Sequence, residues 1–328
     1  MAYNLLYIKI KKIKKGRKEF PWIKLALHPL LLHWEQQKPH ADTNCYLSTS
    51  QHKVAITHIH KRKYLPRNEL KNWRSLSLTN SDYKLLAKCL ALRLSHVIHD
   101  VINTDQVGYI KGRSVSSLLG LIDDVIDQLN VSQKPGLLIT VDYFHAIDCI
   151  LKDFMLKAFE KFGFGGDFVR RVSVLMRDAK SCVSYCGWHS DVFAVDSGIW
   201  QGCPFSPPAI ILSIELLAIK IRDCKGIKGI TLLDVVNGTD LEQVLKIALY
   251  ADDITLFLEN EYEMSHALSI INNFSCVSGL EINKQKSEAM WLGQKKALHR
   301  HFTILCGNVF EDSWSLLLQW YVCIKYTG

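Results

Sequence analysis

Ten residues, LYADDITLFL at 249–258, constrain this chain more than any other stretch. An alternating apolar run is broken by two adjacent carboxylates, Asp252 and Asp253, and then resumes. A period of two predicts a half-buried strand, a tight turn at the acids and a second strand, with Ala248, Tyr250 and Asp252 on one face. Adjacent acids at the end of such a strand repel each other and lose hydration. One ordinary reading stays open, because aspartate is favoured in turns, where its carboxylate bonds nearby backbone. A third acid weighs against it. Asp142 ends another buried run, LLITV at 137–141. If the two strands lie side by side, Asp142 and Asp252 emerge together, with Asp253 adjacent. Such a trio suits hard divalent cations, and two Mg²⁺ ions about 3.5–4 Å apart serve in-line phosphoryl transfer.

The surrounding pattern predicts a strand over 54–59, then the basic loop HKRKYLPRNELKNWR. A helix is expected from Asp82 to Asp100, striped by Leu86, Leu90, Leu94 and Val97. After the strand LLITVDYF, Asp148 is placed to cap a helix that runs through Phe159 and Phe162 and ends at Gly163. AKSCVSYC and DVFAVDSG read as paired strands around Gly187. Pro207 and Pro208 suit the first turn of a buried helix, AIILSIELLAIKI. Met264, Ala267, Leu268, Ile271 and Phe274 stripe one more helix, which stops at Gly279. No glycine-rich dinucleotide or P-loop signature is present. The expected class is α+β, with helices on one face of a mainly antiparallel sheet.

Charge narrows the partners. The net charge of +8 is concentrated: residues 1–18 hold seven Lys or Arg and no acid, and six more lie between Lys61 and Arg74 against the single Glu69. Such blocks suit phosphate backbones or anionic surfaces, although a solvated tail and an ordinary charged face would look the same. The apolar segments at 23–34 and 314–324 are too short to span a bilayer, and the amino terminus lacks a cleavage signal. Ten scattered cysteines fit a reducing compartment better than a disulfide framework. The expectation is an intracellular protein of nucleus or cytoplasm, neither secreted nor membrane-bound.

Six collinear blocks carry a family resemblance: NWRSLSLTNSDYKLLAKCLALRL (72–94), DQVGYIKGRS (105–114), VDYFHAID (141–148), QGCPFSP (201–207), YADD (250–253) and SGLEINKQKSE (278–288). Together they make the chain similar to the reverse transcriptase domain of LINE-type (non-LTR) retrotransposons. The resemblance implies a right-hand polymerase with an unassigned basic leader at 1–44, fingers at 45–136, palm at 137–293 and a divergent, truncated thumb region at 294–328. It implies that Asp142, Asp252 and Asp253 are the catalytic, metal-holding triad, with Mg²⁺ or Mn²⁺ as the ions. The nucleotide-binding set would be Arg74 and, less directly, Lys61 toward the triphosphate, Ile147 at the sugar, Gln201 and Gly202 beneath the nascent base pair, and Lys286 as a phosphate contact or proton donor. Solvated surface charge remains the alternative for Lys61 and Lys286, and a plain turn for Gly202. The implied partners are an RNA template, a DNA primer and dNTPs, with protein partners unassigned.

Several positions depart from the family pattern. Ile147 stands where the family usually has a phenylalanine gate against the ribose 2′-hydroxyl, which predicts weaker sugar discrimination. Ser197 and Trp200 replace arginines, predicting weaker nucleic-acid binding. Ser75 replaces a proline, and Cys186-Gly187 an Asn-Gly turn. Three functions therefore stand open: an RNA-directed DNA polymerase, truncated or decayed; a silent nucleic-acid-binding remnant; and, further off, a group II intron maturase.

Overall fold

The structure, a computed structural model, describes residues 47, 53–61, 64–236, 239–294 and 302–303. The leader at 1–44, nearly all of the 294–328 tail, and the apolar segments at 23–34 and 314–324 lie outside the described residues.

In chain order the principal elements are β1 (Lys53–His60), β2 (Trp73–Leu78), α1 (Ser81–Ser95), α2 (Val115–Ser132), β3 (Gly136–Val141), α3 (Lys152–Lys161), α4 (Gly166–Met176), β4 (Lys180–Tyr185), α5 (Ser206–Asp223), β5 (Ile230–Val236), β6 (Thr239–Leu245), β7 (Ile247–Tyr250), β8 (Asp253–Leu258), α6 (Glu261–Ser278) and β9 (Glu288–Leu292). They form two main sheets. The first runs β2-β1-β4 and continues into Trp188–His189, with Phe193–Ala194 also on β4. Its β1–β2 pair is antiparallel, but β1 and β4 run parallel. The second runs β7-β8-β3-β9 and ends on Phe302–Thr303, antiparallel throughout. β5 and β6 make a separate hairpin.

Strand β3 organises the core because both of its faces are apolar. Leu137, Ile139 and Val141 join the larger cluster, with Met155 and Phe159 of α3, Ile211 and Ile214 of α5, and Ile271 of α6. Leu138 faces the other way, with Phe257, Ala248 and Leu292, onto Leu118, Val125 and Leu129 of α2. Helices therefore cover both faces of the second sheet, not one. Helix α2 went unread in the sequence, although Ser114 caps it by accepting from the Ser116 amide.

Two helix boundaries also differ. The helix expected over 82–100 ends at Ser95 and resumes as one turn, Ile98–Val101, after Val97. Asp148 caps nothing: it lies inside the short helix Ala146–Cys149, and α3 starts only at Lys152, with Leu151 before it. Helix α5 begins with its prolines in the first turn and is buried nearly all round. Its Glu215, 2% exposed, is matched by Arg222.

Candidate active site

The acidic turn is built as the alternation predicts. β7 and β8 pair with Tyr250 opposite Asp253, and Ala251 and Asp252 form the tip. Ala251 sits at φ +58°, a left-handed conformation that costs an L-residue energy. Val141 pairs with Ile254, so the next residues along the antiparallel ladder, Asp142 and Asp253, end level with each other.

The loop at 105–109 holds this tip from beside it. Leu249 donates its amide to Asp105 O at 2.8 Å, and Val107 donates to Leu249 O at 2.9 Å. Between these bonds the buried Gln106 side chain meets the turn. Its Oε1 accepts from the amides of Gly108 (2.8 Å) and Ala251 (2.9 Å), and its Nε2 donates to Ala251 O at 3.0 Å. Glycine is needed at 108, because a Cβ there would fall 2.2 Å from Ala251 N.

Asp142 is anchored by the segment that follows α6. Its amide donates to Ser287 Oγ at 3.1 Å, its carbonyl accepts from the Asn283 amide at 2.8 Å, and its Oδ2 accepts from Asn283 Nδ2 at 3.0 Å. Lys286 Nζ stands 3.5 Å from the same Oδ2.

The acids share one field. Burial, then Asp252, then Asp142 push the Asp253 carboxyl up to about 7, while Lys286 pulls it down. Asp252 is raised chiefly by burial and also by Asp142, against Lys286. Cations face them. Burial lowers the Lys61 ammonium, Lys286 and Arg74 lower it further, and Asp142 opposes them, so all four lie within electrostatic reach. Tyr109 also borders this field: burial and Asp252 raise its phenol, and Arg74 lowers it.

Of the remaining expected residues, Gln201 and Gly202 lie against β2 of the first sheet. Gln201 O accepts from the Ser77 amide at 2.9 Å, and Gln201 Oε1 is 3.3 Å from Ser75 Oγ. Gly202 adopts φ +102°, and a Cβ there would meet Leu76 Cδ1 at 3.1 Å. Ile147 is half-buried and accepts from the Ile199 amide at 2.8 Å. Trp200, at an expected arginine position, is buried in the core, and Ser197 Oγ is spent on Asp148 O at 3.3 Å. Cys186-Gly187 does form the tight turn, both residues having positive φ. Cys182 and Cys186 are free thiols.

As metal donors the three carboxylates fit hard divalent ions by oxygen chemistry, with burial and then mutual repulsion raising two of them. Among the described residues, however, no three His, Cys, Asp or Glu side chains are grouped to hold one ion. The Lys286 ammonium lies 3.5 Å from Asp142 Oδ2.

A family described as reverse transcriptase (RNA-dependent DNA polymerase) matches residues 59–328. The chain belongs to the reverse transcriptase family. Its relatives among curated proteins include an uncharacterised 149 kDa protein of transposon TX1 from Xenopus laevis, 29% identical over 231 residues, which are 69% of this chain and 17% of that protein. Another is the Pol polyprotein of the type-1 retrotransposable element R2 from Popillia japonica, 24% identical over 219 residues, 66% of this chain and 29% of the polyprotein. The reverse transcriptase chain thus spans less than a third of the length of these relatives, both from non-LTR elements. Among solved structures, apo telomerase from Candida tropicalis, truncated at its C-terminal domain, aligns with TM-score 0.52 and 13% identity over 89% of this chain and 60% of that one. The same telomerase with an RNA fragment aligns at TM-score 0.51, also at 13% identity, over 88% and 48% of the two chains. At such identity the likeness concerns the fold, and it is that of a right-hand polymerase. The family generally uses divalent metal ions. No described helix is long and apolar enough to cross a membrane.

Gln106, Gly108, Asn283 and Ser287 are the residues at this site that the sequence did not single out. They fall inside the quoted blocks, yet nothing local marks a loop glutamine as the neighbour of Ala251, or a serine as the neighbour of Asp142, over a hundred positions away.

Proposed function

We propose that the chain is the RNA-directed DNA polymerase part of a non-LTR retrotransposon protein, extending a primer 3′-hydroxyl along an RNA template with dNTPs. The observation that carries this reading is the ladder register that sets Asp142 level with Asp253 beside Asp252, with Lys61, Arg74 and Lys286 in the same field. Two divalent ions, Mg²⁺ or Mn²⁺, held by Asp142, Asp252 and Asp253 would supply an activated 3′-hydroxyl and charge neutralisation at the leaving pyrophosphate. This chain's own residues then divide the remaining work. Arg74 and Lys61 bind triphosphate oxygens, and Lys286 is placed to meet phosphate or to protonate the departing pyrophosphate. Gln201 and the Cβ-free Gly202 let the nascent base pair approach the backbone. Ile147 borders the sugar and, being smaller than phenylalanine, leaves room for a 2′-hydroxyl. The first sheet corresponds to fingers and the second to palm. We place them over 45–136 and 137–293, with the chain from 180 to 194 crossing back to the fingers sheet.

The test is primer extension on a primed RNA with Mg²⁺ and dNTPs. The wild-type protein extends, and Asp252→Ala loses at least about a thousandfold, in line with removing a metal-borne term of several kcal/mol. Equal extension by both proteins ends the assignment. One observation favours a second reading, a silent nucleic-acid-binding remnant: where the family usually carries two arginines, Ser197 bonds Asp148 O and Trp200 is buried in the core. Salt-dependent RNA binding without any extension by the wild type would support it.

A further inference from the structure

The conformation of the acidic tip is not secured by the hairpin alone. Ala251 must hold a left-handed φ in a residue with a Cβ, which neighbouring structure has to enforce. The hairpin's own ladder stops at the Tyr250–Asp253 pair, so it leaves the Ala251 amide and carbonyl without ladder partners. Both go to one planar group, the Gln106 side-chain amide, at 2.9 and 3.0 Å. Fixing the N–H and C=O of a residue fixes its φ and ψ together, and so the direction in which the next Cα leaves. Here that next residue is Asp252. The amide is itself held: Gln106 is 1% exposed, Gly108 donates to its Oε1, and its backbone carbonyl accepts from Arg113 Nη1 at 2.6 Å.

We propose that Gln106 is a positioning residue, whose side-chain amide sets the left-handed turn at Ala251 and thereby the placement of the Asp252 and Asp253 carboxylates for holding divalent cations. The second half of this statement rests on the polymerase reading above.

The experiment compares the whole wild-type chain with Gln106→Met, which keeps the volume and removes both polar contacts to Ala251 together with the one to Gly108. Amide exchange over 249–254 speeds up by about tenfold or more in the variant, while exchange in α5 stays as in the wild type. Mn²⁺ affinity, titrated by electron paramagnetic resonance, weakens by about tenfold. Adding Ala251→Gly, which makes the left-handed conformation inexpensive, restores a large part of that affinity. Should Gln106→Met not fold, Gln106→Asn keeps the amide but draws it back from Ala251 by one methylene, adds no charge, and shows the same two effects on a smaller scale, about threefold. Wild-type exchange over 249–254, or unchanged Mn²⁺ affinity, in the variants overturns the inference. Failure of the wild-type protein itself to bind Mn²⁺ counts against the polymerase reading instead, and it is measured first.

Discussion

At the scale of single residues the site is a set of acids kept in a poor place for charge. Asp253 has its carboxyl raised from 3.8 to about 7, which fixes the sign of a pH effect. A raised carboxyl binds its proton more tightly folded than unfolded, so between pH ~4 and ~7 the folded state holds more protons. Stability therefore declines as pH rises across that window. In EDTA, the urea midpoint of the wild type falls from pH 5 to pH 7.5, and Asp253→Asn flattens part of that fall; an equal slope in both proteins would refute it. Glu215, also raised to about 7, contributes with the same sign and is untouched by this substitution. That the strand ending at Asp142 runs up beside the acidic turn was legible in the sequence, because carboxylates ending apolar strands need a chemical reason. Gln106 was not, because its meaning comes entirely from Ala251, a residue distant in sequence and adjacent in space.

At the scale of elements, the chain's helices and strands were largely legible where one period ran unbroken, as in α5, α6 and the β7–β8 hairpin. Asp148 misled because aspartate before an apolar stripe is a good capping signal. Here its carboxylate turns instead toward Ser75 Oγ at 3.4 Å and His145 Nδ1 at 3.7 Å, and the helix starts later. Another tie between elements was invisible. Arg222 at the end of α5 bonds Asp105 Oδ2 at 2.6 Å and also Glu215 Oε1, so it joins the helix to the loop that clasps the acidic tip. Arg222→Met leaves two carboxylates in a largely buried place without their cation. Denaturant unfolding should show a loss of about 3 kcal/mol, the lower end for breaking such a pair. Extension activity should fall beyond what the lost stability explains, because Asp105 O also receives the Leu249 amide.

At the scale of the whole molecule, the six motifs were enough to place the chain in its family, yet not to say how its sheets are assembled. Pairing between β1 and β4, or between β3 and β9, joins segments far apart in the chain, and strand pattern alone carries no information on partners at that range. The coverage of both faces of β3 was hidden for the same reason. The parallel β1–β4 pair also bears on how the protein is made. Its first sheet gains an inner neighbour only once residue 180 and those after it have been synthesised, by which time β3 and the four helices α1 to α4 already exist. A fragment ending at residue 136 would emerge from the ribosome with one long flank of β1 unmatched, and it should be cleaved rapidly by trypsin while the 45–293 fragment resists. The hand, in other words, cannot close its fingers before the palm has been spoken for.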